Sequence, residues 1–466
     1  MEVIVILLVI AVLFVSKKRL TGSSGRTTTR TMPLPPSPPS LPVVGHLHLL
    51  GSLPHRRLRA LAAKYGPVIH LRLGGVPTVV ACSAAAAEEA VKAHNLAFAS
   101  RPRLSMVDRG YYGSGGMGFA PYGEYWLQAR RVCVAHFLNP RLAASLSRIR
   151  LQEAAALVGR VLLLAVYSNT VISRVTFGGD AEDLSKKKQG GGERLMKAFG
   201  KIHELLGTAP MGETVPWLRW MDALVTGLEA EKRRAFQEMD AVLDRVIADH
   251  RQKRRLRAAA AGAEDDDDED RDLVDVLLEE YGGSSEEEEG AVKGIILDML
   301  AAAAATDSTS TLLEWAMAEL INHPKELLKL QHEIRDAVDR SGAGAVMEEH
   351  LRDLPYLEAV VRESKRPHPS MPLRETRQDT ELLGYAVRKG TRVLTNFWAI
   401  GRDQDVWGQD AEEFVPERFL GYDDDLKMLP DFPFLPLGAR SRFAMTSNKL
   451  ALASLAYSFD WELPGG

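Results

Sequence analysis

Cysteine is scarce in this sequence: Cys82 and Cys133 are the only two in 466 residues. That excludes a disulfide framework and fits a reducing compartment. An excess of positive charge is also missing. Lys and Arg number 58 against 62 Asp and Glu, for a formal net charge of −4, so the chain carries no electrostatic footprint for nucleic acid. No repeat with a period of roughly 20–50 residues is visible, which excludes a solenoid. Long hydrophobic runs are rare too. The one at the amino terminus, Val3–Val15, is shorter than the roughly 20 residues of a full helical span.

That short run is nonetheless informative. Glu2 precedes it, and Lys17, Lys18 and Arg19 follow at once. A cleaved signal peptide carries its positive charge ahead of the apolar stretch. Basic residues are retained on the cytoplasmic side. Residues 1–19 therefore read as a membrane anchor with the bulk of the chain cytosolic; a signal peptide or an interfacial segment is the alternative. Residues 20–45 begin polar and end in Pro33, Pro35, Pro36, Pro38, Pro39 and Pro42. Proline fixes φ and favours extended backbone, so this is a stiff hinge, although proline-rich protein ligands look alike.

Residues 46–466 read as one large domain, mainly α with a small β part. Val68 to Leu73 and Pro77 to Ala81 predict a hairpin around Gly74-Gly75. Helical periodicity covers about 140–176, 193–206, 229–257, 291–321 and 324–339. The acidic runs Asp265 to Asp268 and Glu286 to Glu289 are expected as solvated loops.

Four local patterns bear on chemistry. Glu363 and Arg366, at i and i+3, share a helix face and can pair; alone they would be an ordinary surface ion pair, worth under about 1 kcal/mol. Arg418, in Pro416-Glu417-Arg418-Phe419, could join them in a buried network. Trp126 and Arg130 place an indole donor and a guanidinium one helical turn apart, which suits a carboxylate or propionate; the bland alternative is an ordinary Trp beside a surface Arg. Asp307, Ser308 and Thr309 lie within an apolar helix and could relay protons; hydroxyls there also commonly bond back to the preceding turn.

Their order resembles the plant cytochrome P450 monooxygenases along nearly the whole chain. The proline hinge, Phe119-Ala120-Pro121-Tyr122-Gly123 before Trp126, Glu314-Trp315-Ala316-Met317-Ala318-Glu319-Leu320 after Asp307, and Phe459-Asp460-Trp461-Glu462-Leu463-Pro464 carry the resemblance. The wording is most similar to the A-type enzymes of grasses that hydroxylate indole-type and oxime-type defence intermediates. The resemblance implies the cytochrome P450 fold, a haem, and electrons from an NADPH-cytochrome reductase partner. It implies a small hydrophobic plant metabolite as substrate. Glu363, Arg366 and Arg418 would form the buried ion triad. Trp126, Arg130 and Arg442 would hold the haem propionates, and Asp307, Ser308 and Thr309 would deliver protons to dioxygen.

The sequence departs from that pattern where the iron ligand belongs. The family loop runs Phe-Gly-x-Gly-x-Arg-x-Cys-x-Gly, and its thiolate drives O–O cleavage. Here Phe434 to Thr446 contains no cysteine. Reading forward from Gly438 puts Ala444 at the cysteine position; counting back from Phe459 puts it at Gly438. Phe443-Ala444-Met445 reads as the start of a helix, and a deletion of about six residues between Gly438 and Phe443 reconciles the motifs. Met445 is a thioether, a ligand type found in electron carriers. No residue is assigned to the metal.

Further departures accompany this one. Pro372-Leu373-Arg374-Glu375 looks shortened, and Lys365 and Pro367 stand at usually apolar positions. Ala305 replaces a glycine and Ser308 a threonine. The sequence ends at Gly465-Gly466, before the family's C-terminal hairpin. The expectation is a family member with an incomplete proximal loop and impaired catalysis. A non-enzymatic membrane-tethered remnant, or a faulty gene model of an intact enzyme, would share these features.

Overall fold

The computed structural model describes residues 32–104, 107, 112, 118–136, 147–158, 201, 204–205, 214–215, 227–260, 273–282, 285–304, 306–369, 373–421 and 438–462. The apolar run Val3–Val15 and the acidic run Asp265 to Asp268 lie outside them. Among the described residues no helix is long and apolar enough to cross a membrane. The chain divides into two compact units.

The first unit draws on residues 1–100, 210–222 and 371–400. It opens with α1 (Pro54–Tyr65), where proline at the first helical position supplies a fixed φ without losing a hydrogen bond. The predicted hairpin follows as β1 (Val68–Leu73) and β2 (Val76–Ala81), paired from Val68↔Ala81 to Leu73↔Val76. Later come β3 (Arg374–Glu375), β4 (Thr380–Leu382), β5 (Tyr385–Val387) and β6 (Arg392–Thr395). The main sheet has the order β1-β2-β6-β3, with β2 and β6 parallel; β4 and β5 form a separate hairpin. Val68, Ile69, Leu71, Val79 and Val80 are buried, which explains why these strands read as nearly continuous apolar runs.

The proline-rich stretch runs from the β4–β5 hairpin at Pro33 to the main sheet at Pro36. His70 N–H donates to Pro36 O at 2.8 Å and Ala386 N–H to Pro33 O at 2.9 Å. Gly45 closes it with φ +61°, and a Cβ there would sit 2.0 Å from Arg72 O. Only glycine permits that approach.

The second unit is helical and holds residues 101–209, 223–370 and 401–466. Its longer elements are α2 (Glu124–His136), α3 (Ser147–Val158), α4 (Leu228–Ala260), α5 (Leu273–Tyr281), α6 (Glu286–Ala304), α7 (Thr306–Asn322), α8 (Pro324–Ser341), α9 (Pro355–Lys365) and α10 (Gly438–Ser458). α8 is typical of how the sequence specifies them. Pro324 starts it, Leu327, Leu330, Ile334 and Val338 bury one face, and Gly342 ends it in the left-handed conformation. One apolar cluster joins α2, α4, α5 and α6 through Ala129, Met239, Leu277 and Ile295. Another joins α3, α7, α8, α9 and α10 through Leu157, Leu313, Leu330, Val360 and Leu455.

One expectation is corrected. Glu286 to Glu289 do not form a loop but the first turn of α6. Ser285 and Glu288 make a reciprocal capping box, each side chain bonded to the other's backbone N–H at 3.2 Å. Carboxylates at a helix amino terminus face the positive end of the helix dipole, so the acidic run belongs inside the helix.

Candidate functional site

The site is built on α9 and the segment that follows it. Tyr356, Leu357, Val360 and Val361 bury one face of α9. This carries Glu363 and Arg366, one turn apart, into the interior. The Glu363 carboxylate is fully buried and takes both Nε and Nη2 of Arg366 at 2.8 Å. The remaining Arg366 donors reach backbone carbonyls: Nη1 to Gly401 and Ala411 at 2.5 Å, and Nη2 to Glu413 at 2.8 Å. Val415 N–H adds a bond to Glu363 Oε1 at 2.9 Å. Every nitrogen of the guanidinium head is therefore engaged. It staples residues 401–415 to α9.

Arg418 stands on the other side of Glu363, with Nε 3.6 Å from Oε1. Its Nη1 donates to Trp407 O at 3.0 Å and to Asp410 Oδ1 at 2.8 Å. Asp410 was not singled out from the sequence. It brings a second carboxylate, so two acids balance two guanidinium groups. The Arg418 hydrogen bond holds the Asp410 carboxyl below its ordinary range. The ring of Trp407 lies 5.5 Å from the Arg366 guanidinium. Nothing local in the sequence marks Trp407 or Asp410 as partners, because the loop between them and α9 sets the contact.

α7 and α10 pack beside α9. Glu319 on α7 accepts from His368 Nε2 at 2.9 Å, and the His368 ring stacks on Trp315 at 3.7 Å with 8° between planes. The His368 hydrogen bond holds the Glu319 carboxyl below its usual value. Lys365 reaches from the end of α9 to the Met445 thioether on α10. Thus Met445 is partly buried against the α7–α10 cluster, in contact with an ammonium group.

Asp307, Ser308 and Thr309 lie in the first turn of α7, and their side chains lie outside the described residues. Arg442 and Ala444 lie in α10, with side chains likewise outside. The helix expected from Phe443 begins earlier, at Gly438, so Ala444 sits on helical backbone. Trp126 is partly buried on α2 and Arg130 is exposed, its guanidinium 5.8 Å from the Trp126 ring. Tyr122 flanks the indole at 5.1 Å.

Both cysteines are elsewhere. Cys82 follows β2 in the first unit, and burial pushes its thiol up to about 12. Cys133 is buried in the apolar cluster around α2.

A mainly helical chain with a small sheet and a buried glutamate–arginine clamp is the architecture expected from the sequence. Comparison with known proteins makes the assignment. The family profile described as cytochrome P450 matches residues 35–466. The chain is 36% identical to cytochrome P450 71A25 of Arabidopsis thaliana, covering 96% of this chain and 89% of that one. It is 38% identical to cytochrome P450 71A6 of Nepeta racemosa (99% and 93% covered). It is 37% identical to (+)-menthofuran synthase of Mentha piperita (99% and 92% covered). This chain belongs to the cytochrome P450 family and is similar to plant members of it.

Proposed function

We propose that this chain is a membrane-tethered member of the family whose oxygen-inserting activity is impaired, because it has no thiolate to give iron. The family implies haem as cofactor and an NADPH-linked reductase as electron donor. Bound through a thiolate, that group supplies the electron push for oxygen activation. The observation that carries the reading is the location of the cysteines. Cys82 is held as a thiol by burial, and Cys133 packs in an apolar core. α10 from Gly438 to Ser458 contains none. The residues present therefore do not fit a thiolate-ligated haem.

Other parts of the chain keep family roles under this proposal. Glu363, Arg366 and Arg418 act as the structural triad. The exposed Arg130 beside Trp126, together with Arg442, would pair with propionates. Asp307, Ser308 and Thr309 are the proton-relay positions. The Val3–Val15 run with its basic flank would tether the chain to the endoplasmic reticulum, and a relative named for making (+)-menthofuran supports a small-molecule substrate. Reconstitution with haem, NADPH, reductase and a panel of small hydrophobic compounds tests the reading. The expected result is no oxygenated product; turnover comparable to an intact relative run in parallel overturns it.

A further inference from the structure

A second cluster of chemistry-bearing side chains lies in the first unit. Ser83 caps a short helix by accepting from Ala86 N–H at 3.2 Å. That helix, Ala84–Glu88, widens into a π-helical turn over Glu89–Ala93. The turn closes with His94 N–H donating to Glu89 O at 2.9 Å. In an α-helix, residues five apart point away from one another. The i→i+5 bond of a π turn instead aligns them, and such turns recur at functional sites. Here it sets His94 Nε2 3.5 Å from Glu89 Oε1.

A third ligand atom comes from the β4–β5 hairpin. Glu381 Oε1 lies 3.9 Å from the same imidazole nitrogen. The hairpin turns through Leu383 (φ 48°) and Gly384 (φ 77°). This aims Leu383 N–H at Glu89 Oε2, 3.1 Å away. One oxygen of Glu89 therefore anchors the hairpin while the other faces the imidazole. Ala90, Ala97, Phe98, Leu382 and Val387 form an apolar floor beneath both elements.

We propose that Glu89, His94 and Glu381 form a binding site for a divalent transition-metal ion of the zinc type. One ligand atom from each lies within 4.8 Å of the others. Zinc bonds to imidazole and carboxylate are about 2.0–2.2 Å, which sets tetrahedral ligand atoms roughly 3.3 Å apart. Rotation of partly exposed side chains closes the difference. Two carboxylates with a neutral imidazole balance a dipositive ion, and the imidazole favours zinc, cobalt or nickel over calcium or magnesium. Water completes the coordination. The ordinary alternative is a hydrogen-bonded contact of His94 with the two carboxylates that takes no metal.

The test uses the full chain, stripped of metal by chelation, titrated with Co²⁺ by visible absorption and with Zn²⁺ by calorimetry. The expected result is saturation at one equivalent. His94→Gln and Glu381→Gln should each weaken binding about tenfold or more, since even outer-sphere partners cost about 10–100-fold. Glu88→Gln, in the exposed pair with Lys92, should leave it unchanged. Unfolding midpoints measured in chelator check that each variant is folded; if His94→Gln is not, Glu381→Gln decides. No saturable binding, or binding that survives both substitutions, overturns the proposal.

Discussion

Replacing Glu363 by Gln removes one negative charge at a position with no solvent access. The carboxylate is shared by Arg366 and Arg418. Arg366 is itself buried, so its charge would lose its counter-ion without gaining water. Breaking one partner of a buried pair costs about 3–5 kcal/mol, a large share of the roughly 5–15 kcal/mol that stabilises a typical domain. With a denaturant slope near 3 kcal/mol/M in urea, the midpoint should fall by roughly 1–1.7 M. Arg366→Lys should also destabilise, because an ammonium cannot reproduce the bidentate fork and the three carbonyl contacts together. Asp410→Asn should shift the midpoint far less, since Asp410 meets solvent. The assay is urea unfolding of the detergent-solubilised full chain followed by far-UV circular dichroism. A shift below about 0.3 M for Glu363→Gln, equivalent to roughly 1 kcal/mol, would refute the claim that this carboxylate holds the clamp together.

Three further outcomes are expected. Ser285→Ala removes the cap of α6 and should cost about 0.5–2 kcal/mol, read as a lower unfolding midpoint; Ser285→Asp should restore most of it. The lowered Glu319 carboxyl contributes stability that is complete above the ordinary carboxylate value of about 4.3 and is lost as pH falls through its lowered value in the folded chain. His368→Phe should flatten that part of the stability–pH curve, and an unchanged curve would deny the coupling. Full-length chain made with microsomes should pellet with them while its bulk stays open to added protease; a protected bulk, or a fully soluble chain, contradicts the anchor.

The β1–β2 hairpin was legible because its apolar runs flank a Gly-Gly turn, and α4 and α8 because their periodicity is long. The acidic start of α6 was not, because like charge suggested repulsion while capping and the helix dipole decided the outcome. For the clamp, Glu363 and Arg366 are neighbours on one helix turn and could be paired from spacing. Trp407 and Asp410 are brought in by the path of the chain after Gly401, which no local pattern encodes. The π turn at Glu89 was equally hidden. Its sequence, Glu-Ala-Val-Lys-Ala, is ordinary helix-forming material, and the hairpin contact at Leu383 lies almost three hundred residues away.

Whether iron in this chain has a thiolate ligand is read from the carbon monoxide difference spectrum of the reduced, haem-supplemented chain. Without a cysteine near α10, no thiolate-type Soret band is expected. Any haem taken up should show the spectrum of a water-ligated or neutral-ligand iron. A full thiolate-type band, in a chain whose cysteines are Cys82 and Cys133 alone, would show that iron finds a thiolate after all.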